Sequence, residues 1–346
     1  MANLFSSQFW SNLVNTDLAI DLGTASTLVH TKQAGRIVIY EPSIVAINTV
    51  TGEVEAVGDE AKQLLGRTPQ GVKTVRPMKD GMIYEVDAAE KMLSAFITKA
   101  RPNRKFNTRI VVSVPPRAHQ VARRAVKQCC FDAKATDAFL VDQTMVAAIG
   151  AGLAINEKRG CMIVDIGGGT TDVAVISYNG KVFSDSILIA GDEMDEAITK
   201  YIREKYNVLI SEASSEEVKW TLGSAYPSDV TRTMDVSGRD QFEGLPKTLT
   251  LHDAEIREAL AEPVNAIIDL VRKALNETPP QLAADLIERG ICLTGGGSLI
   301  QGLDERIRKE THLPVFRAEN PQTAVVRGTA QLLDNIPLLR RIQILD

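Results

Sequence analysis

The feature that most narrows what this chain can fold into is an internal echo. Residues 19–29 read Ala-Ile-Asp-Leu-Gly-Thr-Ala-Ser-Thr-Leu-Val, and 144 residues later residues 163–173 read Ile-Val-Asp-Ile-Gly-Gly-Gly-Thr-Thr-Asp-Val. Each passes from an apolar strand through an aspartate, Asp21 or Asp165, into a glycine-rich turn and out along a second apolar strand. The pattern predicts a β-hairpin with an acid at its mouth, used twice. Two related domains facing one another across a cleft are expected, and 346 residues suit two domains of ordinary size.

Around the echo, β-branched runs alternate with helical patterns, the mark of an α/β fold. Strands are expected at 17–22, 27–31, 36–40, 44–48, 109–114, 138–141, 161–165, 173–177, 181–187 and 291–294. Helices are expected at 86–100, 117–132, 143–152, 192–206, 214–222, 253–275, 280–288 and 303–310. Pro263 should kink the long helix or set its start. Residues 109–152 read as a βαβ unit, whose strand ends face a ligand in open α/β sheets. The polar stretches 49–73 and 225–247 read as peripheral subdomains or loops.

The turns carry the chemistry. Gly23, and Gly167, Gly168 and Gly169, allow positive φ and let a phosphate approach backbone N–H groups with no Cβ in the way. Thr24, Ser26, Thr170 and Thr171 add hydroxyl donors, and Ala25 completes the first turn. Asp21 and Asp165 bring two carboxylates near the phosphates, which calls for a hydrated Mg²⁺ between them. A third turn, Gly295-Gly296-Gly297-Ser298, follows the strand 291–294 and suits close approach of a base or ribose. One such turn is weak evidence, because glycine often serves conformation alone; three in this order point to a nucleotide.

Those three segments resemble the phosphate-1, phosphate-2 and adenosine motifs of the actin, chaperone and sugar-kinase ATPase superfamily. Residues 40–43 (Tyr-Glu-Pro-Ser), 61–69, 76–81 (Arg-Pro-Met-Lys-Asp-Gly), 147–153 and 279–283 resemble the bacterial actins of the MreB family, and the likeness runs from about Asp17 to Gly328. It implies an actin-like, ribonuclease H-like fold of two pseudo-repeated domains in four subdomains around a nucleotide cleft. Subdomain IA would take 17–36, 79–150 and 319–346, with IB at 37–78. IIA would take 151–190 and 253–318, with IIB at 191–252. The resemblance further implies ATP or ADP with Mg²⁺, homopolymers in double filaments, organisation of cell-wall elongation and rod shape, and elongation-complex partners such as RodZ and MreC. It also implies that an acid and a lysine one helical turn apart hold the ribose and base. Glu216 and Lys219 have that spacing, and an exposed helical salt bridge is the alternative.

The chain departs from the family where a glutamate is expected to position the attacking water, since residues 142–144 read Asp-Gln-Thr. Gln143 can orient a water but cannot accept its proton. With Thr170 near the γ-phosphate, slow ATP hydrolysis linked to polymerisation is the expectation. Ser26 and Asp172 stand where the family usually has Asn and Glu. Three alternatives stay open: a non-hydrolysing, nucleotide-locked scaffold filament, a small-molecule kinase of the superfamily, and Gln143 as a plain helix starter.

Composition sets the surroundings. A net charge of −5 and a pI near 5.6 argue against nucleic acid as a partner, and the local cluster Arg101, Arg104, Lys105 and Arg109 reads as a solvated loop. Cys129, Cys130, Cys161 and Cys292 lack paired spacing, which fits a reducing cytosol; Cys161 and Cys292 read as buried thiols, and Cys129 and Cys130 are neighbours on a predicted helix whose side chains diverge. No run is long and apolar enough to span a bilayer. Wound as a helix, residues 2–14 gather Phe5, Phe9, Trp10 and Leu13 on one face, suited to the headgroup zone; a tail or a segment packed on the body is the alternative. Phe106 is a second candidate for lipid contact. The expected place is the cytoplasm, peripheral on the inner face of the cytoplasmic membrane. The apolar run 336–345 is expected to pack on the body.

Overall fold

The computed structural model describes residues 17–101, 108–116 and 118–344. The chain divides into two compact units, one ending at Ile155 and resuming at Gln322, the other spanning Asn156–Pro321.

The first unit opens with an antiparallel meander, β1 (Leu18–Leu22), β2 (Ser26–Thr31) and β3 (Arg36–Pro42). Next come β4 (Val45–Asn48), β5 (Val54–Val57), helix α1 (Asp59–Gln63) and β6 (Val72–Val75), forming a small sheet of order β5-β4-β6. A short ladder of β7 (Met78–Lys79) and β8 (Met82–Ile83) leads into α2 (Val86–Ala100). Then β9 (Arg109–Val114), α3 (Gln120–Asp132), β10 (Asp137–Asp142) and α4 (Gln143–Gly150) deliver the expected βαβ unit. The parallel strands β9 and β10 extend the main sheet to β10-β9-β1-β2-β3.

The second unit repeats the plan. β11 (Cys161–Ile166), β12 (Thr171–Ser177) and β13 (Gly180–Ile187) form its meander. After α5 (Gly191–Tyr206), β14 (Val208–Leu209) and α6 (Glu212–Leu222) come β15 (Thr233–Asp240) and β16 (Pro246–His252), and the small sheet runs β14-β15-β16. Helices α7 (Asp253–Ala259), α8 (Ala261–Glu277) and α9 (Pro280–Arg289) lead to β17 (Ile291–Thr294), which lies parallel to β11. A 3₁₀ turn at Gly296–Leu299, α10 (Leu303–Thr311) and β18 (Val315–Arg317) complete the order β13-β12-β11-β17-β18. Each main sheet is thus three antiparallel strands followed by two parallel ones. The register carries the 144-residue offset as well: Leu22 faces Thr27, and Ile166 faces Thr171.

The chain closes in the first unit with α11 (Ala324–Asp334) and α12 (Ile336–Ile342). Leu339 is buried and the Ile344 N–H donates to Leu140 O at 2.8 Å, so the described part of the terminal run packs on the body as expected.

Central strands β1 and β11 are buried at every residue, as strands covered on both faces must be. In α2 the buried residues Ala88, Ala89, Met92, Leu93, Phe96 and Ile97 recur at three- and four-residue spacing, the face of a helix lying on a sheet. Burying a side chain such as Phe96 contributes about 1.5–3 kcal/mol. Helices α4 and α11 meet backbone to backbone: a Cβ on Gly150 would sit 1.8 Å from Ala324 O, and one on Gly328 would sit 1.8 Å from Val146 O.

Some expectations need correction. The helix foreseen over 253–275 is two helices parted at Leu260, and Pro263 lies in the first turn of the second, where its missing N–H has no helical partner to lose. The polar stretches hold strands of the two small sheets. Arg101 is buried, and Arg109 pairs with the buried Asp17 through its guanidinium and, at 3.0 Å, its backbone N–H. Neither is a solvated loop residue; Arg104 and Lys105 lie outside the described residues.

Candidate functional site

In the first unit the site begins at the β1–β2 hairpin. Gly23 N–H donates to Ser26 O at 3.2 Å, and a Cβ on Gly23 would stand 2.7 Å from that oxygen, so the turn requires glycine. Ser43, just past β3, holds the turn from behind: its N–H donates to Ala25 O at 3.0 Å and its hydroxyl to Gly23 O at 2.7 Å. Thr24 Oγ1 accepts from the Gly81 N–H at 3.1 Å, leaving the hydroxyl proton for another acceptor. Asp21 is buried at the end of β1, and its Oδ1 accepts from Ser113 Oγ on β9 at 3.0 Å. Burial, and then the charge of Asp21, raise the Tyr40 hydroxyl above its ordinary pKa.

The β11–β12 hairpin of the second unit is built alike. Gly167 N–H donates to Thr170 O at 2.9 Å, the counterpart of the bond in the first turn. Here the helix α5 holds the turn: the N–H groups of Gly191 and Asp192 donate to Gly167 O (3.2 Å) and Gly168 O (2.8 Å). The described peptides are trans, so each N–H opposes the carbonyl of its own unit. The N–H groups of Gly168 and Gly169 therefore point away from α5. Thr170 Oγ1 donates to Asp172 Oδ2 at 2.8 Å, which fixes the threonine hydroxyl. Thr171 Oγ1 donates to Ile189 O at 2.7 Å.

Asp165 is buried and lies beside Thr294 in the β11–β17 register. The Thr294 hydroxyl is itself buried and has no protein partner. The third glycine turn packs against this strand end: a Cβ on Gly295 would meet Ile166 O at 2.2 Å and Asp165 Oδ1 at 2.8 Å, and one on Gly297 would meet Ile166 Cγ2 at 2.4 Å. Gly295 also holds φ +79°. Two of these glycines thus have a packing reason of their own, beyond approach to a ligand. The neighbouring Gly296 opens the 3₁₀ turn, and the Ser298 hydroxyl donates to Gly295 O at 2.7 Å.

Lys219 is buried on α6, unlike the lysine of an exposed helical pair. Its Nζ donates to Gly191 O at 2.8 Å and to Asp195 Oδ2 at 2.6 Å. Burial raises the Asp195 carboxyl to about 6 against the pull of Lys219, and the charge of Glu216 adds a smaller push upward. Glu216 and Lys219 therefore share a neighbourhood with Asp195 and the first residue of α5, and Gly191 joins Lys219 to the turn at Gly167.

Gln143 is the first residue of α4, and it is Asp142 that caps the helix. Asp142 Oδ1 accepts from Thr144 N (3.1 Å), Met145 N (3.2 Å) and Thr144 Oγ1 (2.6 Å). Phe5, Phe9, Trp10, Leu13 and Phe106 lie outside the described residues. Sequence reasoning missed Ser43, Ser113, Gly191 and Asp195. Ser43 stood in the Tyr-Glu-Pro-Ser stretch and Ser113 near the end of the strand 109–114, whose end was expected to face a ligand; Gly191 and Asp195 carried no such signal.

Two sheets of one plan, each headed by a carbonyl-braced hairpin with an aspartate at its mouth, define an actin-like protein. The MreB/Mbl protein family profile matches residues 15–341. Cell shape-determining protein MreB of Escherichia coli (strain K12) is 48% identical over 332 residues, covering 94% of this chain and 95% of the relative. Cell shape-determining protein Mbl of Bacillus subtilis (strain 168) is 42% identical over 324 residues, covering 93% and 97%. Among solved structures, MreB5 of Spiroplasma citri bound to ADP aligns with a TM-score of 0.88 at 34% identity, covering 93% of this chain and 97% of that one. The same MreB5 bound to AMPPNP aligns equally well at 35% identity. The chain belongs to the MreB/Mbl family.

Proposed function

We propose that this bacterial actin binds ATP and polymerises on it, with the phosphates held by the two braced turns. The observation that carries the reading is the bracing itself. Ser43 and α5 take up the turn carbonyls, so N–H donors are left facing away from the protein backbone behind them, as an anion cradle needs. The ADP- and AMPPNP-bound forms of MreB5, at 34–35% identity, support the same ligand class. In this reading Gly23 to Ser26 and Gly167 to Thr171 serve the phosphates, while Glu216, Lys219 and Gly295 to Ser298 serve the nucleoside.

The donor set fits magnesium. Asp21 and Asp165 are hard oxygen ligands at strand ends, and the unsatisfied buried hydroxyl of Thr294 beside Asp165 suits a bound water. In this reading the two carboxylates act through bound water. Magnesium, when bound, neutralises charge on the phosphates. Calorimetric titration with Mg-ATP tests binding; no heat with ATP or any other nucleotide would sink the proposal.

For hydrolysis, the Gln143 amide orients a water, and the Thr170 hydroxyl, its one proton held by Asp172, fixes the second turn beside the γ-phosphate. One observation favours a nucleotide-locked scaffold as the second reading. At the head of α4, Asp142 Oδ1 is engaged in capping, and the Gln143 amide beside it has no basic site to take the water's proton. Phosphate release from polymerised protein separates the two, since turnover at the buffer rate with ATP still bound selects the scaffold.

Relatives named for cell shape support a role in rod-shape maintenance and wall elongation, with double filaments and elongation-complex partners such as RodZ and MreC following from the family resemblance. No described helix is long and apolar enough to cross a membrane. Residues 2–14 would instead lie on the inner face, gaining avidity when arrayed on a filament. Liposome co-sedimentation after deleting 2–14 tests this; undiminished pelleting excludes that segment.

A further inference from the structure

We propose that Ser43 is a positioning residue of the nucleotide site, setting the first turn for the phosphates without touching them. The inference rests on the nucleotide-binding reading and adds to it a residue outside the turn.

The argument starts from proton bookkeeping. Ser43 has one hydroxyl proton, and it goes to Gly23 O at 2.7 Å. The 2.8 Å contact between Ser43 Oγ and Thr27 Oγ1 must then run from Thr27 to Ser43. The result is a relay of hydroxyls, Thr27 to Ser43 to the Gly23 carbonyl, in which each bond polarises the next. Thr27 and Ser43 are both fully buried, so water does not replace a lost link cheaply. Since the same serine's N–H holds Ala25 O at 3.0 Å, one residue grips the turn at both ends.

The grip has a direction. With Gly23 O tied down, the trans peptide 23–24 turns the Thr24 N–H away from Ser43. Without the hydroxyl, that peptide is free to rotate and its donor loses a fixed bearing. Sequence order explains why Ser43 is available. It is the first of the two residues between Pro42, which ends β3 opposite Ser26, and β4, which belongs to a different sheet. Its buried hydroxyl accepts from Thr27 and donates to the turn.

The test is Ser43→Ala in the full-length protein, with affinities for Mg-ATP and for adenosine measured by competition against a fluorescent ATP analogue. Losing one buried, relayed hydrogen bond should weaken ATP about tenfold, while adenosine, which has no phosphate to position, should stay within about twofold. A purely structural role would lower both together or neither. Equal ATP affinity in variant and wild type, or parallel loss of ATP and adenosine, would overturn the proposal. If Ser43→Ala fails to fold, Ser43→Cys keeps the shape with a weaker donor. It should lose at least about threefold for ATP alone, and wild-type ATP affinity in that variant would overturn the proposal equally. Wild-type protein that binds no nucleotide would instead bring down the underlying site assignment.

Discussion

Replacing Gly328 by alanine should weaken the fold and, separately, slow ATP turnover. The added Cβ would start 1.8 Å from Val146 O and 2.8 Å from Gly150 N, both main-chain atoms of α4. Restoring an ordinary contact of 3.4 Å requires α4 and α11 to part by about 1.6 Å. Overpacking of this kind costs about 1–3 kcal/mol, and backbone contacts belong at the upper end. The better helix propensity of alanine returns up to about 1 kcal/mol, leaving a net loss of about 2 kcal/mol in urea unfolding. Because α4 begins at Gln143, the displacement also moves that amide, and misplacement by about 1 Å is enough to cost a rate factor of about 100. Phosphate release should therefore fall at least tenfold while Mg-ATP affinity stays within about threefold. The reciprocal change, Gly150→Ala, meets Ala324 O at the same 1.8 Å and should behave alike. Unchanged unfolding midpoints and turnover in both variants would refute the close-packed helix pair as the support of Gln143.

Gly295→Ala, with a Cβ 2.2 Å from Ile166 O at φ +79°, should destabilise the second unit and weaken ATP by tenfold or more; calorimetry showing wild-type affinity would contradict this. Asp195 provides a pH signature. Its folded pKa of about 6 lies above the ordinary 3.8, so its contribution to stability is full below about 3.8 and lost as pH rises through about 6. About two pK units correspond to about 3 kcal/mol, so the stability difference between wild type and Asp195→Asn should fall by roughly that much from pH 4 to 7. A flat difference would sink the assignment. Burial pushes the Cys129, Cys130 and Cys292 thiols to about 12 and Cys161 to about 11. Native protein at pH 8 should thus resist Ellman's reagent and yield all four thiols only in denaturant; prompt native labelling would contradict that.

The hairpins were legible because their grammar is local: strand, acid, glycine, hydroxyl, strand, all within about ten residues, and the 144-residue spacing reappears in the strand register. Helix α2 was legible for a similar reason, since its apolar residues recur at helical spacing. By contrast α11 was not foreseen, because Val325, Val326 and Gly328 are poor helix formers and tertiary packing against α4 overrides them. The β15–β16 hairpin escaped because most of its residues are exposed and few apolar positions alternate. The partner of Lys219 was hidden by distance, since Asp195 lies 24 residues upstream on another helix. The third glycine turn was found, but two of its glycines turn out to answer to Ile166 as well, a reason only the folded chain reveals.

The two hairpins are braced by different means, and the difference bears on how each can vary. The first depends in part on one side chain, the Ser43 hydroxyl on Gly23 O, so a single codon change at position 43 can alter its strength while the Ser43 N–H still holds Ala25 O. The second depends on main-chain amides at the start of a helix, which every residue except proline supplies. Inheritance therefore has a handle on one turn that it lacks on the other, and drift in nucleotide affinity among descendants of such a chain should accumulate on the serine side.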